Sequence, residues 1–395
     1  GMLLQSGTYQ RAGEVVRGAV VADGSRYPYL LYTPGSYVEQ QPAPLVVVVH
    51  GCQTTAEQQM RSTGFNQLAE REGFVVLYPD VDPVGEALPG PANQCWKFPY
   101  PPAWSRGGSD AGAIAAMTRR VMARRAVDPE RVYIVGSSAG GLMASIEAAA
   151  YPDLYAAVGV VAAGGYLDWP CFVTGVGIPV ELSARLAHAE MGRRARVVPR
   201  FALGGTADQA FPPACVRKAL EQGLRTNNLV LSGRQDGPIA LTPTGVRKDR
   251  IPGGYAYSVR SFTDPGGCQV GELWMVAGLA HSWPGGTSVP EDRYNTDDRG
   301  GDERLAQHPG EGHLRPRDAS GLGDLRHPLD DHPVVSVVEA LAELVGLAAG
   351  GGLVPVTGQA TAGQRAPRDH AHALVDAQRH HLPLLLPVEE VVVVL

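Results

Sequence analysis

The chain has 395 residues, of which 44% are hydrophobic and 19% charged, enough apolar material to bury the core of one large domain or two ordinary ones. A formal net charge of −6 gives no electrostatic reason to expect nucleic acid as a partner. No apolar run reaches the roughly 18–20 residues that span a bilayer, and Gly1-Met2-Leu3-Leu4-Gln5 offers neither a basic n-region nor a long apolar h-region, so no secretory leader is read there.

In chain order, Glu14–Val21 and Tyr27–Tyr32 read as strands, with Asp23-Gly24 as a hairpin signal between them. Leu45–Val49 is a short continuous β-branched run, the pattern of a strand buried on both faces of a parallel sheet. Then helical and strand patterns alternate. Gln58–Glu72 predicts a helix, Phe74–Tyr78 a strand, and Asp110–Ala126 a helix capped by Ser109. Val132–Val135, Ala156–Val161, Val197–Leu203 and Glu272–Val276 predict further strands; Gly140–Ala150 and Pro213–Arg225 predict helices. This alternation argues for an α/β domain around a mainly parallel sheet flanked by helices. Two stretches interrupt it: Pro83–Gly108, rich in Pro, Gly and aromatics, and Gly164–Arg196, expected to form a small cap or lid.

Composition changes after Tyr294. From Asn295 to Leu395 there is no Phe, Trp, Tyr, Met, Cys, Ile or Lys, and eight of the eleven histidines fall there. Such a segment has little with which to build a core, and only Val334–Ala349 looks helical. The expected organisation is a domain over 1–294 and an atypical extension over 295–395. The extension reads either as low-complexity chain or as a GC-rich gene translated out of frame.

Chemistry concentrates at Gly136-Ser137-Ser138-Ala139-Gly140, a G-x-S-x-G preceded by an apolar strand pattern and followed by a helical one. That context marks a nucleophile elbow, where a strained turn lifts a serine Oγ above the sheet edge. Ser138 is the central serine; Ser137 is not. A tetrahedral intermediate needs N–H donors aimed at its developing charge. One is expected from Ala139, the residue after the nucleophile. The other is expected from Cys52 in His50-Gly51-Cys52-Gln53, which follows the buried Leu45–Val49 run. His50 is an alternative base, but at the end of a buried strand a structural role suits it better. In this fold the acid follows the serine and the histidine comes last. Asp208, after the strand and Gly-rich turn of Phe201–Ala207, is the expected acid, with Asp168, Asp236 and Asp264 as competitors in poorer context. His188 and His281 are the histidines between Ser138 and the tail. His281 follows a late strand and is the expected base, whereas His188 reads as a surface residue on a helix.

His50-Gly51-Cys52, Cys95-Trp96, Gly136–Gly141, Tyr151-Pro152-Asp153, Gly205–Asp208 and His281-Ser282-Trp283-Pro284-Gly285-Gly286 occur in one order. Over roughly Tyr9 to Gly286 the chain resembles the polyhydroxybutyrate-depolymerase family of esterases, relatives of feruloyl and acetylxylan esterases. The resemblance implies an α/β-hydrolase fold, no metal and no cofactor. It implies hydrolysis of carboxylic esters in polyesters, their oligomers or esterified plant polymers, with Ser138, Asp208 and His281 as catalytic residues and Cys52 and Ala139 as oxyanion donors. It also implies a Cys52–Cys95 disulfide that would set Trp96 beside the site. There Trp96 is either a substrate-binding face or a core residue, and Trp283 either touches substrate or packs under the histidine. The family is often secreted, and a disulfide needs an oxidising compartment. The rival readings are a serine peptidase of the same fold, which lacks its usual preceding repeats here, and a non-catalytic binding module. With five cysteines, at least one has no partner within the chain.

Overall fold

The computed structural model describes residues 12–81, 94–251 and 254–285, with Thr296–Asp297 as backbone only. The chain divides into Gly1–Gly351 and Gly352–Leu395, and every described residue lies in the first unit. Residues 82–93 of the long loop, the helix expected at Val334–Ala349 and the remainder of the tail lie outside the described residues.

The amino-terminal hairpin pairs β1 (Glu14–Ala22) with β2 (Ser25–Thr33). Its two-residue turn places Asp23 (φ 48°) and Gly24 (φ 76°) in the left-handed region, which matches the twist of the flanking strands. β3 (Ala43–Val49) is buried along its whole length. The single helix expected over Gln58–Glu72 is two: α1 (Ala56–Ser62), opened by a capping box between Thr55 and Gln58, and α2 (Phe65–Glu72). They separate at Gly64, whose φ of 79° cannot continue a helix. β4 (Val75–Pro79) follows. In α3 (Ser109–Met122), Ser109 is not the cap; it is the first helical residue, and Gly108 holds the cap position without a side-chain bond. The helix stops short of Ala126, whose carbonyl accepts from the Ala43 N–H as β5 (Val127–Ser137) begins.

Next come α4 (Ala139–Ala150), β6 (Ala157–Val161), α5 (Pro170–Thr174) and α6 (Val180–Met191). β7 (Arg200–Gly205), α7 (Pro213–Ser232), β8 (Gly245–Arg250), β9 (Ala256–Thr263) and β10 (Gln269–Val276) complete the large sheet. Two short strands, β11 (Trp283–Pro284) and β12 (Thr296–Asp297), pair in parallel, so backbone pairing runs past the expected boundary at 294.

The sheet has ten strands in the order β1-β2-β4-β3-β5-β6-β7-β10-β9-β8. From β4 to β10 all neighbours are parallel, and the pairs at both ends are antiparallel. This is the α/β-hydrolase fold. The β8–β9 hairpin escaped the sequence pattern because β8, Gly-Val-Arg-Lys-Asp-Arg, is exposed throughout and lacks alternation; its charges suit an edge strand. The stretch read as a cap contains α5 and α6. α6 packs on α7 and α4. α5 is bound to α7 by a Cys171–Cys215 disulfide, and Lys218 of α7 bridges to buried Asp168 at 3.1 Å.

Candidate active site

Four parallel strands end at the same sheet edge and deliver one group each: His50 after β3, Ser138 after β5, Asp208 after β7 and His281 after β10. The carboxyl edge is where ligands bind in such sheets, because the strand-to-helix turns open there.

Ser138 stands between β5 and α4 at φ 55° and ψ −123°, a conformation that L-residues rarely adopt and that the surroundings must enforce. Its N–H is held by the Val161 carbonyl at 2.9 Å. A Cβ on Gly136 would lie 2.1 Å from the Gly140 carbonyl oxygen, and one on Gly140 would lie 2.2 Å from that of Val49. The sharp bend and the seat of α4 against β3 therefore need glycine at both positions.

His281 Nε2 lies 3.0 Å from Ser138 Oγ, and Nδ1 lies 2.9 Å from Asp208 Oδ2. A carboxylate only accepts, so Nδ1–H donates to Asp208 and Nε2 is left to accept the serine hydroxyl proton. The Asp208 side chain is fully buried, and its second oxygen accepts from the Ala210 and Phe211 N–H groups at 2.9 and 2.8 Å. The two loops are also tied together: Ala207 N–H donates to the Leu279 carbonyl, and Gly278 N–H to Thr206 Oγ1. The Phe211 ring stacks on the imidazole at 6.0 Å between centroids and 23° between planes. Nothing in the sequence singled out Phe211, because its contact with His281 is made across two loops.

The competing aspartates lie elsewhere. Asp168 is paired with Lys218 and the Ile178 N–H, and burial pushes its carboxyl upward. Asp236 is exposed beside Arg234, whose hydrogen bond holds its carboxyl low, and Asp264 accepts from the Cys268 N–H in a turn. His188 is half-buried rather than a surface group, and burial lowers its pKa.

Ala139 opens α4, so its N–H has no intrahelical acceptor. In the other loop the Gln53 N–H is already given to the Gln94 carbonyl at 3.1 Å, whereas the Cys52 N–H has no acceptor among the described residues. Cys52 pairs with Cys95, and Cys268 is unpaired and exposed. Both tryptophans depart from a substrate-binding role. Trp96 is fully buried, with its ring 5.0 Å from that of His50 and its Nε1–H donated to the His50 carbonyl at 2.9 Å. Trp283 is buried against Phe65. Neither presents a face to a ligand. His50 is buried too, its Nδ1 2.7 Å from the Gly51 carbonyl and its Nε2 3.1 Å from Asp80 Oδ1. It makes no hydrogen bond to Ser138, whose Oγ pairs with His281. Among the described residues no cluster of His, Cys, Asp and Glu could hold a metal ion.

Residues 27–168, which run from β2 to just past β6 and include the Ser138 turn, match the family model described as esterase PHB depolymerase. Over these residues the chain is similar to the PHB-depolymerase esterases. It is 27% identical over 250 residues to the poly(3-hydroxyalkanoate) depolymerase C of Paucimonas lemoignei, covering 61% of this chain and 55% of that protein. It is 38% identical over 142 residues to an acetylxylan esterase of Coprinopsis cinerea, covering 35% of each. The chain thus spans about half or less of the length of these two relatives. Among solved structures, an acetyl xylan esterase from Aspergillus awamori superposes with a TM-score of 0.53 at 18% identity, over 70% of this chain and 97% of that one. At that identity the likeness is one of fold. No helix among the described residues is long and apolar enough to cross a membrane.

Proposed function

We propose that this chain is a serine esterase that hydrolyses carboxylic esters through an acyl-enzyme. The observation that carries the proposal is the unbroken line from buried Asp208 through His281 to Ser138 Oγ, at a strained elbow on the carboxyl edge of the sheet. His281 takes the proton as Ser138 Oγ attacks the ester carbonyl. The Cys52 and Ala139 N–H groups stabilise the oxyanion, His281 returns the proton to the leaving alcohol, and water then releases the acid. Asp208 holds the imidazole tautomer and balances the imidazolium that forms.

The substrate we assign is a polyhydroxyalkanoate-type polyester, its oligomers or short-chain esters, in line with the Paucimonas lemoignei depolymerase, whose sequence match covers 61% of this chain against 35% for the Coprinopsis enzyme. Acetylated xylan is the second reading, favoured by the higher local identity to the Coprinopsis enzyme. Two disulfides favour an oxidising, extracellular setting. Replacing Ser138 with Ala should abolish hydrolysis of a short p-nitrophenyl ester and labelling by a fluorophosphonate, with an unchanged circular dichroism spectrum. Retained turnover would remove Ser138 from this role. Parallel assays on hydroxybutyrate oligomers, feruloyl esters and acetylated xylan would decide the substrate.

A further inference from the structure

A buried polar cluster under the Gly51-Cys52 loop is not used by the mechanism above. The Gly51 carbonyl accepts two hydrogen bonds, from His50 Nδ1 at 2.7 Å and from Thr54 Oγ1 at 2.9 Å. Since a carbonyl only accepts, His50 carries hydrogen on Nδ1. Within a trans peptide the C=O of one residue and the N–H of the next lie in one plane and point in opposite directions. Among the described residues the cis bond is Pro101–Pro102, so the Gly51–Cys52 peptide is trans. Two donors on the Gly51 oxygen therefore fix the plane of that peptide, and the Cys52 N–H points away from both.

His50 is held by packing. Its Nε2 lies 3.1 Å from Asp80 Oδ1 without forming a hydrogen bond, and Asp80 accepts from the Ala56 and Val81 N–H groups at 3.2 and 3.0 Å. Trp96 packs on the imidazole and grips the His50 carbonyl. His50 and Thr54 are buried, so water does not compete for either contact. The loop also abuts the nucleophile: Gly140, two residues after Ser138, lies where a Cβ would collide with the Val49 and His50 carbonyls.

We infer that His50 and Thr54 are positioning residues that aim the Cys52 N–H at the oxyanion. Neither touches substrate; both act through the Gly51 carbonyl. The inference rests on the esterase reading and on Cys52 as an oxyanion donor.

The test uses pairs of variants that separate this hydrogen bond from burial as such. Asn carries its amide nitrogen near the position of His Nδ1, whereas Gln carries it near Nε2. His50→Gln should lower kcat for a p-nitrophenyl ester by about 100-fold with KM within about twofold, close to the loss of one oxyanion donor. His50→Asn should recover to within about fivefold of the wild type. Thr54→Val, of equal shape without the hydroxyl, should lower kcat by about tenfold, and Thr54→Ser should restore it. A trifluoromethyl ketone gives an independent readout. Ser138 Oγ bonds to its carbonyl carbon, the carbonyl π pair moves to oxygen, and the serine proton passes to His281. Its inhibition constant should weaken in parallel with kcat across the four variants, while binding of a non-reactive alcohol stays constant.

Wild-type kcat and ketone affinity in both His50→Gln and Thr54→Val would overturn the inference. So would an His50→Asn variant as impaired as His50→Gln, since the Gly51 bond would then not be what matters. If the His50 variants fail to fold, the Thr54 pair decides it alone. A wild-type protein that neither hydrolyses esters nor reacts with a fluorophosphonate would defeat the esterase reading itself, a separate result that ends this inference too.

Discussion

Replacing Gly140 with Ala probes the contact that joins the nucleophile turn to the oxyanion strand. The added Cβ would sit 2.2 Å from the Val49 oxygen, 2.7 Å from the Val49 carbon and 2.5 Å from the His50 oxygen. All three are backbone atoms at the end of the central strand β3, so no rotamer change relieves the clash. Relief requires α4 to retreat from β3 by about 1 Å, and a displacement of that size in a catalytic constellation costs about 100-fold in rate. Overpacking should destabilise the fold by about 1–3 kcal/mol, and a domain of this size loses about 2–4 °C of Tm per kcal/mol. Steady-state kcat on a p-nitrophenyl ester and a thermal melt measure both effects. Gly64→Ala is the control. Its Cβ meets nothing within 4 Å, but its φ of 79° strains any L-residue. It should cost about 1–2 kcal/mol of stability and leave kcat alone. Wild-type kcat and Tm in Gly140→Ala would refute the idea that this backbone approach sets the distance between Ser138 and Cys52.

Two further outcomes follow from groups around the site and in the helical layer. Phe211→Leu keeps the N–H that holds Asp208 but removes the ring on His281; with an aromatic contact worth about 0.5–1.5 kcal/mol, kcat should fall by about 2–10-fold. An unchanged kcat would mean that the loop backbone alone orients the imidazole. Glu147 is fully buried in α4, and burial raises its carboxyl well above the usual 4.5 despite nearby Arg119 and Arg106. The folded chain therefore keeps a proton that the unfolded chain releases above that value, so this group's contribution is complete at lower pH and is lost as pH rises. The slope is about 1.4 kcal/mol per pH unit. Glu147→Gln should match the wild type near pH 4 and exceed it in denaturant midpoint at pH 8. A stability gap independent of pH would refute this account.

What was legible in the sequence is local or ordered along the chain. The buried run at Leu45–Val49 and the strand–Gly-Ser–helix pattern at Ser138 state their own geometry, because burial on both faces and a glycine-lined bend leave characteristic residues. The order serine, aspartate, histidine then narrowed attention to Asp208 and His281. Short-range pattern failed at a left-handed glycine and at an exposed edge. Gln58–Glu72 has a helical period throughout, yet the chain turns at Gly64. β8 carries no alternation because both of its faces meet water, and only its pairing with β9 makes it a strand.

The tertiary structure alone decided which groups meet. His281 reaches Ser138 across 143 residues and Asp208 across 73. Cys171 finds Cys215, and Phe211 finds the imidazole. Trp96 and Trp283 carry the same label in sequence as any exposed aromatic; being buried is a property of the neighbours, supplied here by His50, Phe65 and the strands around them. The sequence by itself determined the strand order's raw material and the elbow that strains Ser138, since those follow from steric rules within a few residues. Which carboxylate faces which histidine, and which way the Gly51–Cys52 peptide points, depends on packing between distant segments that no local pattern encodes.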